Sequence, residues 1–418
     1  MTQEKVSENN TLTDKQQTAW QLSSIQLVVW SGLPLITTSF VISQKNSLLG
    51  ALLTLFIGNL ILGIIRFGVL SMSYKKRHST LDLAGNYMGK CGRYIIAILL
   101  LASTLFWFTE LMSIGTRSII KLIFQNENVK SNQWIRISVL LGIISTLFCI
   151  GNMKLIRRLC TFTFPVLLIF LIICTYFIPV SEINMIQAQP YIPFSGFGFL
   201  IATGLGVTAD FPTFFRHGAS WKTAIRALIA TQIICLGLGV IGIYIAPVFF
   251  ELMHGHANDW TGTTLILKYA LLGFTILSTM SSNVTNIYSA SVGWELLAPE
   301  SFLGKKELLI LGLGLTTVFT TVGDFLPAKQ FAEATDLALV NLACIFIFAY
   351  IVKLKRTNQV SSIDQLVYLT TWILATIINS LQFYNVCLTQ FSYLSTSLLI
   401  ITVVGGAGSL VRKYKKKR

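Results

Sequence analysis

Seven ionisable side chains lie within or at the margins of long apolar runs: Arg66, Glu110, Asp210, Lys268, Glu295, Glu333 and Asp336. Those runs reach the length of about 20 residues that spans a bilayer as helix. A charge at that depth is costly, so each marks either function or a partner. Glu110 stands mid-run beside Trp107 and Phe108, where a carboxyl can bond a polar solute, exchange a proton or pair with Arg66. Arg66 itself is expected to reach toward the edge at Lys75–Arg77, and Glu295, Glu333 and Lys268 to sit near span ends. Asp210 precedes Arg216 by one to two turns, which suits an ion pair or helix cap at the inner mouth as well as transport chemistry.

Neutral oxygens carry the second chemistry. Between 278 and 291 the chain reads Ser278, Thr279, Ser281, Ser282, Asn283, Thr285, Asn286, Ser289 and Ser291. The hydroxyls of Ser278, Ser281 and Ser282 share one helix face. Such a set suits a desolvated Na⁺ when backbone carbonyls freed at a broken helix complete it, and Val28 and Ser31, beside Gly32, could supply those. Ordinary hydrogen bonding between helices uses the same residues, so both readings stay open here. All four histidines, His78, His217, His254 and His256, fall in loops, and the seven cysteines form no CxxC pair, which reads as small hydrophobes in packed helices. No Walker loop, GxSxG or HExxH is present, so neither nucleotide hydrolysis nor a membrane hydrolase is expected, and no catalytic residue is assigned.

These residues must be positioned by membrane helices. The chain of 418 residues is 53% hydrophobic and 12% charged, with mean hydropathy +0.68. A soluble domain carries about twice that charge. Twelve spans are predicted, near 21–43, 48–72, 93–123, 134–152, 159–179, 196–215, 222–250, 262–296, 307–323, 331–352, 363–382 and 386–411. Residues 1–20 form a polar tail, 21–411 one membrane domain, and 412–418 a basic tail. With the N-terminus inside, 24 of the 32 Lys and Arg fall at inner ends and 6 at outer ends. The net charge of +15 is therefore a record of topology rather than a nucleic-acid surface. An inner (plasma) membrane protein with both termini cytoplasmic is expected.

Two spans are interrupted. Gly32 and Pro34 break the first, Pro34 removing a helix hydrogen bond near Trp30. Gly196, Gly198, Gly204, Gly206 and Pro212 crowd the sixth, around Asp210. Irregular backbone at membrane depth survives where it lines a cavity or is buried in protein. Breaks five spans apart point to two repeated halves and a midplane site, the sequence pattern of a secondary transporter. Close helix packing through small residues is the plainer reading of the same glycines.

The segment from Gly204 to Phe211, followed by Phe214, Phe215 and Arg216, resembles the nucleobase:cation symporter-1 family, nearest its cytosine permease branch. Gly58–Gly63 with Asn59, the pair Trp107-Phe108, and Ser281-Ser282-Asn283 followed by Tyr288 carry the same resemblance. It implies an all-α LeuT-type fold with a five-plus-five inverted repeat to about residue 355, two further spans at about 363–411, and broken first and sixth helices. It implies a symporter that imports a nucleobase or related heterocycle with Na⁺ or H⁺ by alternating access, with no other cofactor and no enzyme activity. By motif position, the cation lies among the carbonyls of Val28, Ser31 and Ser278 and the hydroxyls of Ser281 and Ser282. The solute stacks on Trp30 and on Trp107 or Phe108, near Gly32 and Glu110. It bonds the broken backbone at Leu200, Ile201 and Thr203, together with Ser278 and Asn283. Pro34, Gly204, Gly206, Asp210 and Arg216 are expected to gate or to shape the fold.

The chain departs from the family pattern at several positions. Ser278 replaces an amide, Ile201 an aromatic, and Leu339-Val340-Asn341 a pair of prolines; Arg66 and Glu110 replace small or neutral residues. These widen the expected solutes to other heterocycles. An amino-acid or polyamine permease of the same fold, or a sensor or channel derived from it, are the rival readings. A lipid bilayer and a small solute are the expected partners, and a monomer suffices.

Overall fold

The computed structural model describes residues 17–45, 47–74, 76–124, 131–149, 152–177, 200, 208–253, 263–297, 305–322, 328–354, 360–383 and 400–401. The elements are α1 (Ala19–Trp30), α2 (Leu33–Lys45), α3 (Leu48–Tyr74), α4 (Thr80–Phe124), α5 (Ser131–Cys149), α6 (Asn152–Phe177), α7 (Phe211–Phe215), α8 (Trp221–Met253), α9 (Thr263–Leu297), α10 (Lys305–Val322), α11 (Ala328–Leu354) and α12 (Ser362–Phe383). Among the described residues, seven helices are long and apolar enough to cross a bilayer, and α1 with α2, bent by 54° at the break between them, is together long and apolar enough for an eighth.

Sequence dictates these boundaries locally. Thr18 and Gln21 form a reciprocal capping box that starts α1. α4 begins at Thr80, well before the predicted start of the third span, and changes direction at Gly89, whose φ of 76° favours a residue without Cβ. The predicted twelfth span lies outside the described residues except for 400–401, and the glycine-rich interruption of the sixth lies outside them between Leu200 and Thr208.

The helices pair polar and small faces inward and leave apolar faces outward. Along α3, Leu49, Phe56, Leu60, Ile64 and Phe67 are exposed, at spacings of three, four or seven residues that place them on one side. Gly50, Thr54, Gly58, Leu62 and Arg66 on the other side are buried. An exposed apolar stripe over a polar interior is what a lipid surround requires. α9 is the central element, packing on α1, α4, α5 and α6; α11 packs on α3, α4 and α12. Cys149, Cys160, Cys174 and Cys344 are buried, as small hydrophobes should be, while Cys91 is exposed.

Candidate functional site

The break between α1 and α2 falls at Ser31-Gly32, and α9 fills it. The Leu33 backbone N–H donates to Ser278 Oγ at 2.6 Å. A Cβ on Gly32 would stand 2.1 Å from that same oxygen, so only glycine admits the approach. Ser31 N–H donates to the Leu27 carbonyl at 2.7 Å, and the Ser31 hydroxyl reaches back to the Val28 carbonyl at 3.5 Å. The remaining carbonyls of the last turn of α1 have no helical successor to bond. Gln17, just before α1, donates to the His217 carbonyl, and Tyr288 of α9 lies 3.4 Å from the His217 ring nitrogen. α1 and α9 therefore run antiparallel. Stepping from Gly32 back to Val28, and from Ser278 on to Ser281 and Ser282, moves about 6 Å in one direction on both helices.

The hydroxyls at that level are partly committed. Ser281 donates to the Leu277 carbonyl at 2.6 Å and leaves its lone pairs for a further ligand. Ser282 Oγ and Thr279 Oγ1 are buried with no hydrogen-bond partner, and so is the Asn283 amide nitrogen. Thr279 abuts Gly115 of α4, where a Cβ would meet its hydroxyl at 2.1 Å. Neutral oxygens of this kind, two of them unsatisfied, are the ligands a hard cation takes. Among the described residues no group of three or more His, Cys, Asp or Glu could hold a metal.

Arg66 does not reach for the membrane edge. It is 1% exposed, and its guanidinium lies 5.3 Å from the Trp30 ring and 5.0 Å from the Phe211 ring. Nε donates to Thr208 Oγ1 at 3.0 Å, and Nη1 donates to Gln232 Oε1. Gln232 in turn exchanges hydrogen bonds with Asn59, 2.8 Å to its carbonyl and 2.9 Å back from its amide. α3 and α8 are thus joined by a polar chain that ends on a cation. Burial, not span-end position, is the correction: the inward face of α3 is where Arg66 falls in the helical register. Beside it lies a small, partly open cleft that Trp30, Thr38, Ser39, Asn59, Arg66 and Leu200 help to line.

The aromatic pair of the third span divides. Phe108 is fully buried in the main core, while Trp107 is half-buried on the side facing α11. Its indole N–H donates to Asp336 Oδ1 at 3.0 Å, and Asp336 is 5% exposed. Glu110, also half-buried, lies one turn from Trp107. Neither Trp107, Phe108, Glu110, Ser278 nor Asn283 lines the cleft beside Arg66; Trp30 and Leu200 do. Ile201, Thr203, Gly204 and Gly206 lie outside the described residues. Two residues of this centre, Asp336 and Gln232, received no role from sequence. An indole buried in a span needs an acceptor, and the scarce carboxylates were the place to look.

Asp210 forms neither of the structural links expected of it. It precedes α7 but makes no side-chain cap bond, and it forms no salt bridge with Arg216. Instead it accepts from Ser289 at 2.5 Å and Thr80 at 3.3 Å, tying α7, α9 and the start of α4 together. Pro34 opens α2, where its missing N–H costs no helical bond. At the same end of the bundle, Arg77 donates to the Arg216 carbonyl at 3.1 Å and Tyr74 to the Gly218 carbonyl at 3.1 Å. His217 is held there in the neutral form: burial, then the charges of Arg216, Arg77 and Arg157, push its pKa down to about 3.

A broken first span with the polar α9 seated in its gap belongs to a fold that solved cation-coupled symporters share. The chain superposes on Mhp1, a nucleobase-cation-symport-1 family transporter in a closed conformation with bromovinylhydantoin bound, with TM-score 0.67 and 15% identity, covering 95% of this chain and 94% of that one. A Na⁺-coupled sialic acid symporter in a substrate-bound outward-open state gives TM-score 0.66 at 11% identity over 94% and 90% of the two chains. A manganese transporter of Eremococcus coleocola gives 0.51 at 14%, over 93% and 92%. No protein-family model and no curated protein sequence matches the chain.

Proposed function

We propose that this protein is a distant member of the nucleobase:cation symporter-1 family, importing a small heterocyclic solute with Na⁺ by alternating access. The observation that carries the reading is the Ser278 hydroxyl lodged in the α1–α2 break, with the buried, unpartnered Ser282 hydroxyl one turn further along α9. In this reading the carbonyls of Val28, Ser31 and Ser278 and the hydroxyls of Ser281 and Ser282 hold the ion. Twelve spans, ten of them in two inverted halves, enclose it, and both termini face the cytoplasm. The solute occupies the cleft between Trp30 and Leu200, and the buried Asn283 amide nitrogen, which has no partner, is a further candidate donor to it. A flat ring stacked on indole, with a few edge hydrogen bonds, matches that lining. The ion bridges the end of α1 and α9, so its binding favours the conformation in which those helices meet. Coupling requires this differential affinity.

Purified protein in proteoliposomes is expected to accumulate a radiolabelled heterocycle from a nucleobase panel when an inward Na⁺ gradient is imposed. Replacing Ser281 and Ser282 by Ala should raise the Na⁺ concentration for half-maximal uptake at least tenfold, a loss of about 1.4 kcal/mol in ion binding. Uptake that ignores the Na⁺ gradient but follows a proton gradient would transfer the coupling to protons. Uptake indifferent to both removes the symport reading.

A further inference from the structure

The outward side of α8 carries a pattern that transport does not use. Lys222, Arg226, Ile229 and Ile233 follow one another at steps of four, three and four residues, so they lie on one side of the helix. All four are exposed, while Ala224, Ala227, Leu228 and Thr231 on the other side are buried. From Lys222 to Ile233 the axis advances about 17 Å, roughly half of the 30 Å hydrocarbon thickness. The strip is cationic for one turn and apolar for the next two, over the depth of a single leaflet. Like charges one turn apart on a helix repel each other. Among the described residues neither Lys222 nor Arg226 forms a salt bridge. Arg226 also stands about 7.5 Å along the axis from Trp221, whose ring packs against Tyr74 at 5.6 Å and Phe67 at 6.2 Å. Aromatic groups of this kind sit at headgroup level. Arg226 therefore lies at or below that level on the lipid-facing side, where a charge is expensive unless an anion meets it. Beside the apolar half of the strip, Ile64 and Leu60 are exposed on α3, which packs on α8. An anion with long apolar chains complements both halves, whereas a small free anion complements the first alone.

We infer that this strip binds one anionic phospholipid, its phosphate between Lys222 and Arg226, its glycerol against Trp221 and its chains along Ile229, Ile233 and the exposed side of α3. Topology alone asks for basic residues at this end of the bundle, and Lys154 and Arg158 of α6 are likewise exposed and one turn apart. The α8 pair differs in having the Trp221–Tyr74–Phe67 wall beside it, which joins α8 to α3. The lipid thus spans the two helices that Gln232 and Asn59 tie from within. In the proposed orientation this end faces the cytoplasm, where the leaflet is anionic.

Two double variants of equal charge test it. Full-length protein in dodecyl maltoside is titrated with dioleoyl phosphatidylglycerol and with dioleoyl phosphatidylcholine, reading the ligand-induced rise in melting midpoint. Phosphatidylglycerol is expected to bind about tenfold or more tightly, as two basic side chains at a membrane surface give. In Lys222→Gln/Arg226→Gln that ratio should fall about fivefold or more, and in Lys154→Gln/Arg158→Gln it should stay within about twofold of the parent. Equal losses in the two double variants overturn the inference, because the preference then belongs to the whole charged end. A ratio unmoved by Lys222→Gln/Arg226→Gln overturns it too, as does a wild-type ratio near one. Glycerol phosphate at the same concentration should leave the midpoint unchanged; a rise equal to that given by the lipid would make this a site for free phosphate and overturn the assignment to lipid. If Lys222→Gln/Arg226→Gln does not fold, bilayers decide. In vesicles containing both lipids in equal amount, phosphatidylglycerol with brominated chains should quench indole fluorescence more than brominated phosphatidylcholine does, and the excess should vanish in Trp221→Phe. An excess that survives Trp221→Phe places the lipid elsewhere and overturns the inference.

Discussion

Gly32 is where a single missing methyl group decides the geometry of the site. The Ser278 hydroxyl occupies the space its Cβ would take, 2.1 Å from that position, and caps the Leu33 N–H from there. Gly32→Ala must therefore push α9 away from the break or distort α2, and overpacking of this kind costs about 1–3 kcal/mol. The variant is expected to melt lower in detergent and to lose Na⁺-dependent uptake. Adding Ser278→Gly removes the colliding oxygen and the Cβ, which lies 3.0 Å away. The double variant should regain thermal stability without regaining full uptake, because Leu33 N–H then has no hydroxyl to bond. A double variant no more stable than Gly32→Ala would show that the clash is not what destabilises. Sequence marked Gly32 and Ser278 separately, one as a breaker and one as an oxygen donor. Their meeting, 246 positions apart along the chain, is a tertiary fact with no local signature.

At the scale of elements, the Trp107–Asp336 bond links α4 to α11 through two side chains that are each awkward to bury. An indole N–H without an acceptor and a carboxylate without a donor each carry a desolvation penalty of about 1–3 kcal/mol. Asp336→Asn keeps an acceptor oxygen for the indole and removes the charge, so it should leave the melting midpoint near that of the parent. Trp107→Phe leaves the carboxylate buried without this donor, and should lower the midpoint by several degrees. Combining the two should recover part of the loss, since the amide is cheaper to bury than the carboxylate. Equal losses from the two single variants would mean that the hydrogen bond is not the link. The same comparison explains what sequence made legible. The break in the first span was readable from Gly32 and Pro34, because each acts on its own turn. The partners of Arg66, Asp210 and Trp107 were not, because each lies on another helix, 79 to 229 residues away along the chain for Asp210 and Trp107. Charge at membrane depth announced that these residues mattered; only the packing shows that Arg66 faces Trp30 and Phe211 instead of the span end.

For the whole molecule, the same physics that made the chain unreadable as a soluble protein makes its orientation testable. Exposed apolar residues on α3 face outward from a polar interior, so the bundle is surrounded by lipid and its loops must sort to two sides. If the 24 basic residues at alternate ends mark the inner side, Arg77, Arg157 and Arg216 lie inside, at the end that also carries Gln17 and His217. Asn132, exposed at the start of α5, then lies outside, and Ser361, exposed just before α12, lies inside. Cysteines introduced at these two positions should separate completely. In intact cells a membrane-impermeant maleimide should label Asn132→Cys and not Ser361→Cys, while permeabilisation should expose Ser361→Cys, in each case after subtracting the labelling of a Cys91→Ser parent. The reverse pattern would place the termini outside. It would turn the Arg77–Arg216 end toward the exterior, and with it the Asp210–Ser289–Thr80 tie that closes this end of the bundle. Labelling of both positions in intact cells would break the alternation on which a twelve-span count depends. The expected pattern instead puts the tied end in the cytoplasm.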